Sequence, residues 1–277
     1  MKDRIELVPI GVVHCPIVEK GQMPVQGVRG QIEVFSPYLP ALDGVETSSH
    51  LIVLAWMHHG QRDLLRARAR KISEELPEKG IFSLRSPSRP NPISVSVVRL
   101  LGIPREGILD VENIDCIEGT PVIDIKPYQR GWDCVFSATH HDRSDKIQKM
   151  GQSEYREMLI REAVNYHGEW CPGAAVAVRI AEHATSILGG DLNLKEVYLS
   201  MGNHPCISDS IIGITAARYG NGRLHIIPDE RRKGLEYLGL SAVGCRVDFI
   251  LTELPGDIPF ILSCRDEDLF SARICRT

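Results

Sequence analysis

The chain has 277 residues, 43% of them hydrophobic and 25% charged, which is enough apolar content for two ordinary cores and excludes a disordered or low-complexity protein. A formal net charge of -4 and a pI near 6.2 exclude a global attraction to phosphate, so any nucleic-acid contact would need a local basic patch. No apolar run reaches the length of a signal core or a membrane span, so a cytoplasmic protein without a membrane partner is expected, with most of its eight scattered cysteines reduced.

The first half reads as short strands. Segments 7–14, 30–35, 51–57, 92–101, 107–114 and 122–125 are rich in Val, Ile and Leu and are divided by Gly, Pro and Asp turns, the pattern of a barrel or sandwich. Residues 60–78, GQRDLLRARARKISEELPE, lack a wide apolar face and predict an exposed arm or a surface helix. Arg62, Arg66, Arg68 and Arg70 in this stretch form the densest basic cluster of the chain, as either a solvated face or a phosphate-binding patch.

Around residue 140 the sequence turns polar, with HHDRSDKIQKMG, and then begins an amphipathic helix for which Ser153 is a plausible N-cap. The chain therefore divides into residues 1–139, a linker at 140–152 and a second domain at 153–277. Residues 173–188 and 209–219 read as helices, and 196–201, 223–227 and 246–251 as strands. The expected fold class is multi-domain, an all-β barrel followed by an α+β domain.

Two segments of the first half carry chemistry. In IFSLRSPSRPNP (81–92) three prolines, Pro87, Pro90 and Pro92, restrict the backbone and set Arg85, Arg89 and Asn91 on a rigid loop suited to ligand recognition. In EGTPVIDIKPY (118–128) a Gly-Thr-Pro turn precedes a strand on which Asp124 and Lys126 share one face. That pair is either an ion pair at a barrel rim or part of a reactive site.

Together with the GVV start at Gly11, MPVQ at 23–26 and SSHLIVLAWMHH at 48–59, these segments resemble the TsaA/TrmO family over residues 5–139. The resemblance implies a β-barrel that binds S-adenosylmethionine, is usually a homodimer, and methylates threonylcarbamoyl-adenosine in tRNA. Carried over by position, it implies cofactor contacts from Pro24, Val25, Gln26, His58, His59, Arg85, Val97, Glu118, Gly119, Thr120 and Pro121. Arg89 and Asn91 are then substrate-side candidates, and Asp124, Lys126 and Tyr128 acceptor-side catalytic candidates, unless an Asp124–Arg89 pair merely holds the loop. The chain departs from the family pattern at Val25, where an arginine is usual, at Glu118, usually Asp, and at Ser94, usually Gly.

In the second half, YHGEWCPG (166–173) places His167 four residues before Cys171, itself at a predicted helix N-terminus, and His204-Pro205-Cys206 precedes another helix. Imidazole and thiolates brought together would suit zinc or a related transition metal; the alternative is a packed helix end with two buried thiols. The runs HGEWCPGAAVAVRIAEHATSILG and CISDSIIGITAARYGNGRLHI resemble the FmdE family over residues 155–235, which implies His167, Cys171 and Cys206 as metal ligands. Glu169 stands where that family has a second histidine.

The expectation is an S-adenosylmethionine-dependent methyltransferase whose acceptor is tRNA or a small, metal-bound metabolite. The rival is a non-catalytic metal-binding accessory or carrier protein that retains the barrel pocket.

Overall fold

A computed structural model of the protein describes residues 5–24, 26–70, 72–139, 142–193, 197–201, 204–226, 237–251 and 255–276. Its contacts fall into two units, Met1–Arg70 with Leu76–Val135, and Lys71–Glu75 with Phe136–Thr277.

The first unit contains β1 (Gly11–His14), β2 (Val28–Val34), β3 (His50–Trp56), the two-residue strands β4 (Arg66–Ala67) and β5 (Lys79–Gly80), β6 (Ile93–Arg105), β7 (Ile108–Ile114), β8 (Pro121–Pro127) and a short helix, α1 (Arg130–Asp133). Six strands close into a barrel in the order β1-β2-β7-β6-β3-β8, every neighbouring pair antiparallel. Closure pairs the strand edges that would otherwise be open to aggregation. The cause is period-two patterning: Leu51, Val53 and Ala55 of β3 are fully buried, while Ile52 and Leu54 between them are only partly so. Val13, Ile32, Val98, Leu109, Val111 and Val122 join them in the interior. On β6 the outer face carries exposed valines, Val95 and Val97 each 44% exposed, followed by exposed Arg99.

Of the two forms expected for residues 60–78, the structure shows an exposed arm. Arg66 of β4 pairs with Gly80 of β5, Arg66 donates to the Glu78 carbonyl, and none of the described residues in the arm is helical. Without an apolar face, a helix there has nothing to bury, and helical propensity alone does not hold a short segment in water.

The second unit contains α2 (Arg143–Lys149), α3 (Gln152–His167), α4 (Pro172–Leu188), β9 (Tyr198–Met201), α5 (Pro205–Thr215), β10 (Leu224–Ile226), β11 (Tyr237–Ala242), β12 (Cys245–Leu251), α6 (Ile258–Ser263) and β13 (Phe270–Arg276). The sheet order is β10-β9-β11-β12-β13, parallel only between β10 and β9. Helix α4 is the core: every residue from Gly173 to Ala181 is buried, and α3, α5, α6 and β12 pack around it. Its alanines allow that close approach while keeping helix propensity high.

Three details differ from the sequence reading. Helix α5 begins at Pro205, four residues early, because Pro fits the first helical position and the His204 ring accepts from the Ile207 N–H. Helix α3 begins at Gln152 after an extended Gly151, so Ser153 lies inside it and caps nothing. The polar stretch expected as linker carries α2, tied down by Arg143, which donates to both Glu162 carboxylate oxygens at 2.5 and 2.8 Å and to Asp191 at 2.9 Å. Among the described residues, no helix is long and apolar enough to cross a membrane.

Candidate cofactor site and thiol–imidazole centre

Beyond β3 the chain makes a tight turn carrying His58 and His59. The Met57 N–H donates to the Pro92 carbonyl at 2.7 Å, and the Gln61 N–H to Ser88 Oγ at 3.2 Å. A Cβ on Gly60 would lie 2.3 Å from the Pro87 carbonyl oxygen, so only glycine lets the turn lie against the proline loop. The two imidazoles sit 3.9 Å apart, and His58 titrates below the usual histidine range, first through burial and then through the charge of His59.

Arg89 braces the proline loop by donating to the carbonyls of Ile81 and Leu84 at 3.1 and 3.2 Å. The Asp124–Arg89 pair considered from sequence does not form. Asp124 instead pairs with Lys126 at 2.6 Å, two residues along β8, while the Arg89 side chain is directed into its own loop. Arg85 donates to the Val95 carbonyl at 2.5 Å, and Asn91 is exposed, its carbonyl accepting from Ile93 N–H.

Strand register places several of these groups on one outer face. Across β8, β3 and β6, Lys126 aligns with Ile52 and Val97, and Asp124 with Leu54 and Val95. Tyr128 follows β8, its N–H donating to the His50 carbonyl and its ring edge-on to the His50 ring at 6.4 Å. Burial, then Cys134 and Asp133, pushes its phenol up.

The turn from Glu118 to Pro121 is stitched to the β1 end of the barrel. Glu118 N–H donates to the Ile17 carbonyl and Gly119 N–H, at a left-handed φ of 74°, to that of Val13. Thr120 is 1% exposed and its hydroxyl donates to the Ile117 carbonyl at 2.7 Å, which stabilises the turn. A cavity of about 400 Å³ beside the turn is lined by Ile117, His59 and residues Val18–Gly21. Pro24 and Gln26 precede β2 and do not line this cavity; Val25 lies outside the described residues.

Sequence reasoning missed two residues here. The His14 imidazole lies between Glu118 (Nδ1, 2.9 Å) and Glu33 (Nε2, 2.8 Å). A single histidine at a strand end, 19 and 104 residues from its partners, carries no spacing signal.

In the second unit, Cys171 is the N-cap of α4, its Sγ accepting from the Ala174 N–H at 3.5 Å, and Cys206 sits in the first turn of α5. A Cβ on Gly173 would lie 2.6 Å from Cys206 Cβ, so the glycine lets the two helix N-termini meet. His167, at the end of α3, presents Nε2 3.3 Å from Cys171 Sγ. Donor atoms of His167, Cys171 and Cys206 all lie within 4.8 Å of one another. Burial, then the neighbouring Cys171, pushes the Cys206 thiol up.

This donor set fits a metal. One imidazole and two thiols suit a soft divalent ion, and the buried His167 Nδ1 has no hydrogen-bond partner among the described residues, with Asp209 Oδ2 3.6 Å away, where a carboxylate would orient a metal-bound ring. Three protein donors are one fewer than a closed structural zinc site uses.

The fold and these two centres define a two-domain protein, a closed β-barrel followed by an α+β unit with a thiol–imidazole cluster. Residues 12–134 match the tRNA-methyltransferase O N-terminal domain family, and residues 166–235 match FmdE, described from the molybdenum formylmethanofuran dehydrogenase operon. An S-adenosyl-L-methionine-binding protein of Archaeoglobus fulgidus is 42% identical over 47% of this chain and 93% of its own length. A probable S-adenosyl-L-methionine-binding protein of Methanothermobacter thermautotrophicus is 40% identical over 47% of this chain and 95% of its own. A probable S-adenosyl-L-methionine-binding protein of A. fulgidus is 34% identical over 79% of this chain, which spans 60% of that relative. The chain belongs to the tRNA-methyltransferase O N-terminal domain family, with an FmdE-like domain fused behind the barrel.

Proposed function

We propose that the protein is an S-adenosylmethionine-dependent methyltransferase whose barrel binds the methyl donor beside the His58–His59 turn. The observation that carries this reading is the near end-to-end match of the barrel to an S-adenosyl-L-methionine-binding protein. The cavity of about 400 Å³ bordered by His59 and Ile117 supports it, being of a size that small-molecule sites use.

Bound there, the donor supplies a methyl group on a sulfonium, which an acceptor takes by in-line attack while its proton departs and S-adenosylhomocysteine is left. The chain's part is positioning. The locked turn and proline loop present His58, His59 and Arg85 without reorganisation; Asp124, opposite Leu54, is the nearest acceptor-side candidate, whereas Lys126 opposite Ile52 and Tyr128 against His50 lie toward the other end of β3 from that turn. Asp124 and Lys126 pair at 2.6 Å, so an acceptor that reaches either group displaces that contact.

The acceptor we propose is a tRNA adenosine derivative or a small metabolite, and the exposed arm with Arg62, Arg66, Arg68 and Arg70 is the local basic patch a tRNA would require. In the second unit His167, Cys171 and Cys206 would hold a transition metal. The half-exposed Val95 and Val97 of β6 support a homodimer, because apolar side chains on the outside of a closed barrel are otherwise left in water.

Calorimetric titration with S-adenosylmethionine tests the donor site: binding is expected, and Arg85→Ala should weaken it about tenfold or more, the loss typical of one charge-assisted contact. Production of S-adenosylhomocysteine with either unmodified tRNA or a metabolite extract then sorts the acceptors. A protein that binds metal but neither binds nor consumes the donor would be an accessory or carrier, the reading favoured by the thiol–imidazole cluster alone.

A further inference from the structure

Strand β1 ends on His14, whose side chain takes the outer face because Val13 beside it fills the barrel interior. Both ring nitrogens face carboxylates, Glu118 at 2.9 Å and Glu33 at 2.8 Å. A neutral imidazole has one N–H and can donate to only one of them; the imidazolium donates to both. The other Glu118 oxygen accepts from the Cys15 N–H at 2.7 Å, so this one carboxylate joins the end of β1 to the first residue of the Glu118–Pro121 turn. Ile117, immediately before that turn, lines the cavity with His59.

We infer that protonated His14 is a positioning residue: braced by Glu33, it holds Glu118 and thereby the turn at the donor cavity, and affinity for the methyl donor falls as His14 loses its proton. The inference rests on the methyl-donor reading of that cavity. Neither His14 nor Glu33 touches the ligand in this account; they act through Glu118.

The electrostatics run in the required direction. The hydrogen bond to Glu118, then that to Glu33, raises the His14 pKa above the usual value, against a smaller opposing effect of burial. Burial pushes the Glu118 carboxyl up, but the hydrogen bonds from His14 and from Cys15 N–H outweigh it and leave it below its usual value. Among the described residues, Glu118 from the turn and Glu33 from β2 are the charged groups that bear on the ring. Because the imidazole is the group with the raised pKa, its clamp is complete below the ordinary histidine range and is lost as pH rises through the raised value.

The test is calorimetric titration of the full chain with S-adenosylmethionine from about pH 5.5 to 9, a span that brackets ordinary and raised histidine values. Wild type, His14→Gln and Glu33→Gln are compared, with thermal melts confirming that each is folded. The donor's own amine titrates in all three, so the difference between proteins isolates His14.

Wild type should lose affinity by about 3- to 10-fold more than His14→Gln across that range, the order expected for one charge-assisted contact at a half-exposed site. Glu33→Gln should keep the low-pH affinity and move the midpoint downward, a shift that a merely structural residue would not produce. Identical pH profiles for wild type and His14→Gln overturn the inference while leaving the donor site standing. Absence of binding by folded wild type at every pH overturns the donor-site reading and the inference with it.

Discussion

At Gly173 a methyl group would meet Cys206 Cβ at 2.6 Å, where two helix N-termini meet and neither backbone has a flexible end to give. Gly173→Ala should therefore cost about 1–3 kcal/mol, the usual cost of overpacking, read as a lower midpoint in urea unfolding, and it should also weaken metal binding. Cobalt(II) titration checks the donor set: wild type should develop the near-ultraviolet thiolate-to-metal absorption, Cys171→Ser and Cys206→Ser should each reduce it, and His167→Ala should weaken affinity with the thiolate absorption kept. Asp209→Asn should weaken affinity about 10-fold or more through loss of the carboxylate 3.6 Å from His167 Nδ1. His167 and Cys171 were legible in the sequence because they are four residues apart at a helix boundary. Cys206 was legible as a second thiol at a helix start, but its meeting with Cys171, and Asp209 as a partner of His167, were not, because the approach of α5 to α3 and α4 is a tertiary fact. Thr120 entered as a ligand contact through the resemblance alone, and the structure adds a turn-fixing bond from its hydroxyl to the Ile117 carbonyl.

Among the elements, α2 depends on a buried charge. Arg143 donates to Glu162 and Asp191, and desolvation works against its charge while the two carboxylates more than restore it, holding its pKa above the usual value. Arg143→Met would leave two carboxylates facing each other in a mostly buried site, and a loss of about 3 kcal/mol is expected from denaturant unfolding, the low end for breaking a buried pair. Barrel strands were legible because period two shows directly in segments such as residues 50–56. The start of α5 was legible in principle from His204-Pro205, a cap followed by a proline at the first turn, but the apolar periodicity further along drew the boundary too late. The arm at 60–78 could not be resolved between helix and ribbon, because a segment with no apolar face takes its form from local pairing such as Arg66 with Gly80.

For the whole molecule, the proposed homodimer makes a distinct prediction. Light scattering should give twice the chain mass for wild type, and Val97→Glu, which puts a charge between Val95 and Arg99 on the outer face of β6, should shift the protein toward monomer and remove the concentration dependence of its melting temperature. If tRNA is the acceptor, its affinity should fall steeply with salt, since a chain of net charge -4 can attract it only through a local patch such as the arm. The sequence by itself determined the class of each half, because hydrophobic periodicity and turn residues act locally and are written in consecutive positions. It also determined the long motifs that mark the barrel and the Cys-Pro-Gly helix start. Only the tertiary structure decided which side chains meet: Asp124 with Lys126 rather than Arg89, His14 with Glu118 and Glu33, and Cys171 with Cys206. Those contacts depend on strand register and helix approach between residues far apart in the chain, where spacing in the sequence carries no distance.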